Sequence, residues 1–160
     1  MPAKKTKRPG KTPPAPKTSV QDFRVLFEQS PEAIYIHDLE GRILEANRTA
    51  SEIMGYSPEE FRKMRVTDVD SKQAAANVPA KLKKVMAKGG AIFESEHKKR
   101  GGVVFPVEVN ARPIDYMGKK AVIATVRDIT RRKADEERQA KLAAITENTN
   151  DAIIGLDLDS

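Results

Sequence analysis

The acid–base side chains His37, Asp38 and Glu40 lie close together in the sequence, at the end of a β-rich run over residues 33–38. Successive side chains of a strand point to opposite faces of the sheet. His37 and the neighbouring carboxylate therefore cannot act together on one reacting atom as a general acid–base pair. The run is interpreted as a strand and not as a catalytic motif.

Other residue types that support catalysis or cofactor attachment are absent or misplaced. The chain has no cysteine, which excludes disulfides, thiolate metal sites, cysteine catalysis and cysteinyl–flavin adducts. Gly89-Gly90 follows a predicted helix and Gly101-Gly102 joins two predicted strands, so neither pair forms a phosphate-binding loop. Because kinase and cyclase motifs are also absent, we expect that this chain is not an enzyme by itself.

These residues belong to predicted elements in the order two strands, several helices and three strands. Predicted strands over 33–38 and 42–46 form a hairpin. Helices then follow, with Asn47 and Ser57-Pro58 as helix starts and Asn77 as the expected cap of a longer helix that ends at Gly89-Gly90. Three more strands are predicted over 91–100, 103–116 and 119–128. The pattern predicts an α+β fold: a five-stranded antiparallel sheet with helices inserted between strands two and three.

The last predicted strand leads directly into a charged segment. Residues 131–148 lack glycine and proline and are rich in helix-forming side chains, so they predict a helix. Such a polar helix either stands in solvent or pairs with a copy of itself. At the junction, Asp128 and Thr130 are both helix-capping residue types.

The net charge of +6 is concentrated at the amino terminus. The first 18 residues hold six of the 29 basic residues, none of the 23 acidic ones and five of the ten prolines. We predict a disordered tail over 1–21, because this composition cannot bury enough apolar surface to offset its ordering entropy. A solubilising linker is the favoured interpretation, and weak nonspecific nucleic-acid binding is the alternative. No apolar run suits a signal peptide or a membrane span, so a cytoplasmic protein is expected.

A short internal repeat indicates a tandem arrangement. Residues 28–41 and 147–160 share five of fourteen positions, and several others are chemically similar. Self-similarity of this kind is typical of arrays whose unit is one domain plus a connector. We therefore expect 149–160 to be the first strand of a second unit, and whether the chain is a piece of a longer protein stays open.

Four stretches, in this order, resemble a PAS domain with its C-terminal PAC segment: residues 30–38, 41–61, 102–112 and 122–130. The most specific parts are Asn47, the Met-Gly-Tyr-Ser at 54–57 and the Asp-Ile-Thr ending at 128–130. The resemblance assigns 22–130 to one PAS/PAC domain and 131–148 to a connector, or signalling, helix. It assigns 149–160 to the truncated start of a second PAS repeat.

The resemblance implies a sensory or signal-relay module of a signal-transduction protein, such as the sensor histidine kinase of a two-component system. A ligand- or partner-induced change would pass from the sheet to the connector helix through the junction Asp128, Ile129 and Thr130. The implied partners are a downstream output domain or kinase and a second copy, paired through the flanking helices or the sheet. The alternatives are a dimerisation module without ligand, and a nucleic-acid-associated regulator that uses the basic tail.

A ligand pocket in such a domain would lie between the helices and the inner face of the sheet. The candidate lining residues are apolar, and the alternative is that they only fill the core; they are Ile36, Met54, Phe61, Met64, Leu82, Val85, Met86, Phe93, Phe105, Val107 and Ile123. The polar side chains that would hold a small carboxylate or a lipid are Arg112, Tyr35 and Tyr116.

No cofactor or metal is predicted, although an unidentified small ligand stays open. The PAS domains that bind haem hold it through a histidine on their long helix, and this chain has none there. His37 and His97 fall on predicted strands and are interpreted as half-buried packing residues. A flavin photoadduct needs a cysteine, and with no tryptophan and only eight aromatic residues a flavin has no obvious stacking partner.

Overall fold

The computed structural model describes residues 19–156 of the chain. The elements follow in the order α1 (Val20–Gln29), β1 (Ala33–Asp38), β2 (Ile43–Ala46), α2 (Arg48–Met54), α3 (Pro58–Phe61), α4 (Val66–Val69), α5 (Lys72–Ala76), α6 (Val78–Lys88), β3 (Ala91–Lys98), β4 (Val104–Tyr116), β5 (Lys119–Asp128) and α7 (Thr130–Leu156). The strands form one antiparallel sheet in the order β2-β1-β5-β4-β3. The predicted α+β architecture, with helices between the second and third strands, is confirmed.

Helices pack on both faces of the sheet, although the outer side chains of β3 are exposed. The inner face, as we call the one under α2–α6, packs in the main core with Met54, Phe61 and Val85. The opposite face, here the outer face, carries a smaller cluster in which Phe27 of α1 packs with Ile36 and Ala121. β1 is largely buried on both faces, whereas β3 and β4 keep the alternation of strands with one more exposed face.

Local capping explains where several helices begin and end. The side chain of Asn47 accepts a hydrogen bond from the Ala50 N–H (3.0 Å), and Gly55 ends α2 with φ at 81°. Ser57 starts α3 with the predicted capping box. Asn77 occupies the predicted N-cap position of α6, and its carbonyl accepts from the Lys81 N–H (3.0 Å), but its side chain donates to the Gln73 carbonyl (3.2 Å) and makes no cap bond. Its backbone lies in the right-handed helical region instead of the extended region typical of a side-chain cap.

The carboxyl-terminal helix is longer than predicted. α7 continues past 148 to Leu156, so the expected strand over 149–160 is wrong for 149–156. A strand without a neighbour leaves its backbone groups unpaired, whereas a helix pairs them within the segment. Residues 157–160 lie outside the described residues, and the assignment of 149–160 to a second repeat stays a prediction.

At the amino terminus, α1 begins at Val20, two residues before the predicted domain boundary at 22. The side chain of Ser19 caps it by accepting a hydrogen bond from the Asp22 N–H (3.0 Å). Residues 1–18 of the predicted tail lie outside the described residues. Within residues 19–156, no helix combines the length and the apolar character needed to cross a membrane.

Candidate ligand cavity and signal junction

A cavity of about 80 Å³ lies between the inner face of the sheet and helices α4 and α6. We call it the inner cavity. Its wall is mostly apolar, with valines from β4, β5, α4 and α6 together with Leu82 and Phe93. The volume is far below the roughly 300–1,000 Å³ of sites that take drug-sized ligands. A ligand of this cavity must therefore be small.

Three polar residues meet on one side of the inner cavity: Tyr35 from β1, Asp70 after α4 and His97 from β3. An isolated β-bridge joins Asp70 to His97, and His97 Nε2 lies 3.5 Å from Asp70 Oδ1. The rings of Tyr35 and His97 meet edge to face, 6.2 Å apart. The Tyr35 hydroxyl and His97 Nδ1 are buried and have no hydrogen-bond partner within the described part of the chain.

Burial decides the protonation states of this group. Desolvation raises the pKa of Asp70 to about 6, although Lys81 opposes the change. Desolvation, assisted by Lys81, lowers the pKa of His97 to about 4. At neutral pH the contact is thus not an ion pair: a neutral imidazole faces a carboxylate. The pKa of the Tyr35 hydroxyl is also raised, by burial and by the Asp70 charge, so it stays protonated.

Lys81 of α6 brings a positive charge to the same wall. Its Nζ donates to the Ser95 hydroxyl oxygen at 3.0 Å and lies 4.7 Å from the centre of the Phe93 ring. Both contacts keep the ammonium beside the wall while its aliphatic stem covers apolar surface. The cavity wall thus carries one carboxylate and one ammonium, and these charges balance.

His37 completes the polar part of the wall. Its Nδ1 lies 2.8 Å from the Asp38 carbonyl oxygen, and burial lowers the pKa of the imidazole. Both histidines are buried and not half-buried as expected. Within residues 19–156, no group of three or more side chains is arranged to hold a metal ion.

The predicted pocket residues fall into three groups. Leu82, Val85 and Phe93 line the inner cavity. Six others belong to the same core without forming its wall: Met54, Phe61, Met64, Met86, Phe105 and Val107. The placement of Ile36 and Ile123 was wrong, because both lie in the cluster on the outer face, paired across β1 and β5.

Of the predicted polar side chains, only Tyr35 lines the inner cavity. Arg112 is exposed and pairs with Ile123 in the register of β4 and β5. The Tyr116 hydroxyl lies 3.4 Å from Glu45 Oε1, beside the outer-face cluster. Sequence reasoning missed Asp70, Lys81 and Ser95, since nothing in their local pattern separates them from ordinary surface residues.

The junction between β5 and α7 is built by the Asp-Ile-Thr ending. Asp128 Oδ1 accepts hydrogen bonds from the Thr130 N–H (2.9 Å) and hydroxyl (2.5 Å). Ile129 is 2% exposed, and its N–H donates to the Pro106 carbonyl (3.1 Å). The carboxylate caps the helix start, and the buried isoleucine fixes the junction against β4.

Ion pairs extend this attachment over the first turn of α7. Arg132 pairs with Glu94 of β3 (2.9 Å) and Glu108 of β4 (3.2 Å). Lys133 pairs with the same Glu94 at 2.6 Å. All four side chains are partly exposed, so each pair alone contributes little. Together they connect α7 to two strands of the sheet.

The model of the PAS fold family matches residues 27–134, and the chain belongs to this family. It is a sensory domain of the PAS type, as the sequence predicted.

One similar protein is the methyl sulfide methyltransferase-associated sensor of Methanosarcina acetivorans, which is 36% identical over 124 residues. The match covers 77% of this chain and 12% of that protein, so the chain spans about an eighth of its relative.

Two solved structures show the same fold. The PAS domain of the HTR-like protein from Haloarcula marismortui is 28% identical, with a TM-score of 0.62 over 68% of this chain and 90% of that one. A domain of the sensory box sensor histidine kinase/response regulator from Geobacter sulfurreducens is 24% identical, with a TM-score of 0.56 over 66% and 90%. At this identity the second likeness concerns the fold alone.

Proposed function

We propose that this PAS domain relays a change at the inner cavity to helix α7, as the input module of a sensor protein of the histidine kinase type. The observation that carries the proposal is the position of β3. Its inner side chains Phe93, Ser95 and His97 line the cavity. Between them, Glu94 points to the other side of the strand and pairs with Arg132 and Lys133 of α7.

The alternation of a strand makes β3 a direct mechanical link. Because successive side chains lie on opposite faces, a displacement of Ser95 or His97 by an occupant also displaces Glu94. The second attachment is covalent: β5 also lines the cavity and continues through Asp128 into α7. An occupant that favours one position of β3 would thereby favour one orientation of α7.

The relay is tested with spin labels, which attach without background because the chain has no native cysteine. Glu59→Cys on α3 and Leu142→Cys on α7 report the orientation of the helix as a distance distribution. Lys81→Met perturbs the cavity wall, since it removes the ammonium and its bond to Ser95. We expect the mean distance to change by about 1–2 Å, the size of helix shifts in known switches.

Lys84→Met is the matched control, because Lys84 is an exposed lysine of the same helix that does not line the cavity. It should leave the distance unchanged. Adding Glu94→Gln to Lys81→Met should reduce the change, since both ion pairs of Glu94 with α7 are then weakened. An equal change with and without Glu94→Gln would refute the route through β3, and no change with Lys81→Met would refute the relay.

A second candidate function is an interaction module that pairs two copies through α1. Val20 and Leu26 of this helix are 86% and 69% exposed, and Phe23 is 39% exposed. Exposed apolar residues on one amphipathic helix favour self-association. Sedimentation equilibrium tests this: a dimer that dissociates with Leu26→Lys supports pairing through α1, and a monomeric wild type rules it out.

A further inference from the structure

The inner cavity is small enough to limit its occupant sharply. Its volume is about 80 Å³, about half of the roughly 150 Å³ of an apolar cavity that takes a benzene-sized molecule. The space therefore suits a molecule of about three to five non-hydrogen atoms.

Two unpartnered polar atoms define which hydrogen-bonding groups the occupant needs. The Tyr35 hydroxyl and His97 Nδ1 are both buried, and neither has a hydrogen-bond partner within the described residues. A buried polar group without a partner is costly, so these two atoms mark a site where a polar molecule would gain most. Both residues line the cavity, and their ring centres are 6.2 Å apart.

The protonation states decide whether each of these two atoms donates or accepts a hydrogen bond. His97 is neutral, and the Asp70 carboxylate 3.5 Å from Nε2 favours the tautomer with its proton on that nitrogen. Nδ1 is then an acceptor. Tyr35 keeps its proton and is a donor toward an occupant. The occupant must therefore accept a hydrogen bond from Tyr35 and donate one to His97, and a single hydroxyl group can do both.

The charges of the wall select against ions. Asp70 and Lys81 already balance, and both belong to the cavity wall. An anionic occupant would face the Asp70 carboxylate, and a cationic one would face the Lys81 ammonium. In a site of low dielectric constant, an additional unbalanced charge is strongly disfavoured.

We propose that the inner cavity binds a small uncharged hydroxyl compound of about three to five non-hydrogen atoms. Its hydroxyl group lies between Tyr35 and His97, and its carbon atoms pack against the valines, Leu82 and Phe93. The role of this compound as the stimulus of the relay to α7 rests on the function proposed above.

The test compares four probes of similar size on the full 160-residue chain: 1-propanol, acetone, propionate and n-propylammonium. Binding is followed by the amide shifts of β3 and β5 in proton–nitrogen correlation spectra. A ligand of about four non-hydrogen atoms binds with a Kd no tighter than the order of 10–100 µM, so the titrations extend into the millimolar range. We expect 1-propanol to bind at least tenfold more tightly than either ion. Acetone accepts a hydrogen bond but does not donate one, so its Kd should lie between that of 1-propanol and those of the two ions.

Tyr35→Phe removes only the hydroxyl and should weaken 1-propanol about tenfold. Tyr116→Phe is the matched control, because this tyrosine lies at the outer face, and it should have no effect. The same spectra show whether each variant is folded. The proposal is overturned if either ion binds as tightly as 1-propanol, if Tyr35→Phe leaves its Kd unchanged, or if no probe shifts the cavity amides.

The two proposals fail separately. The spin-label experiment with Lys81→Met uses no ligand, so the relay can hold when every probe fails to bind. If 1-propanol binds and the distance between the labels does not change, the relay is refuted and the assigned ligand class is still supported.

Discussion

Asn47 joins three parts of the domain through one buried side chain. Its Oδ1 accepts hydrogen bonds from the N–H groups of Ile34 (2.9 Å) and Ala50 (3.0 Å). Its Nδ2 donates to the carbonyls of Phe27 (3.0 Å) and Glu32 (2.9 Å). The amide thus caps α2, holds the start of β1 and fixes the end of α1 against both. The side chain is completely buried, so water cannot replace these bonds.

Asn47→Ala should therefore be among the most destabilising substitutions in the domain. Loss of the helix cap costs about 1 kcal/mol, and each further buried bond contributes about 1 kcal/mol when its partner is left unsatisfied. Four lost bonds give a cost of about 4 kcal/mol, a large part of the roughly 5–15 kcal/mol that a domain of this size has. Urea unfolding followed by circular dichroism measures the loss.

Asn47→Asp separates the two halves of this network. The carboxylate still accepts from Ile34 and Ala50, but it cannot donate to the carbonyls of Phe27 and Glu32, and it buries a charge beside them. At neutral pH we expect a loss at least as large as that of Asn47→Ala. Burial raises the pKa of such a carboxylate above its unfolded value, so the variant should regain stability as the pH falls. The protonated form supplies one donor.

Asn77→Ala is the matched control. Asn77 also precedes a helix, but its side chain makes a single exposed bond to the Gln73 carbonyl, so the expected loss is within about 0.5 kcal/mol. The reasoning is refuted if Asn47→Ala costs less than about 1.5 kcal/mol, or if Asn47→Asp is insensitive to pH.

Two further predictions concern buried charge and backbone geometry. The lowered pKa of His97 makes the fold lose stability as the pH falls from 6.5 to about 4, whereas the raised pKa of Asp70 makes it gain stability between about 6 and 3.8. Asp70→Asn removes the second effect, so over this window its free energy of unfolding in urea should fall by up to about 3 kcal/mol more than that of the wild type. A pH dependence equal to that of the wild type would contradict this. Gly41→Ala should cost about 1–2 kcal/mol, because φ is +80° and the new Cβ would lie 3.2 Å from Val66 Cγ2. In thermal unfolding Gly101→Ala, which has open space and no positive φ, should be nearly neutral.

The sequence by itself determined the order of the five strands, the caps of α2 and α3 and the family. Capping by Asn47 and Ser57 and the helix end at Gly55 are local events, because each depends on a few neighbouring residues. The antiparallel sheet followed from alternating apolar runs and turns. The Asp128–Thr130 junction could likewise be predicted from the sequence, since both capping residues lie within three positions of each other.

Only the tertiary structure decided which sheet face holds the cavity and which residues meet there. Ile36 and Ile123 were placed on the wrong face because β1 and the middle of β5 are apolar on both faces, and a period of two shows that faces differ but not which is inner. Asp70, Lys81 and His97 come from separate segments, and their meeting depends on how α6 packs over β3. The link from Glu94 to α7 has the same origin, because side chains about forty residues apart are brought together only when the sheet and the helix are both in place.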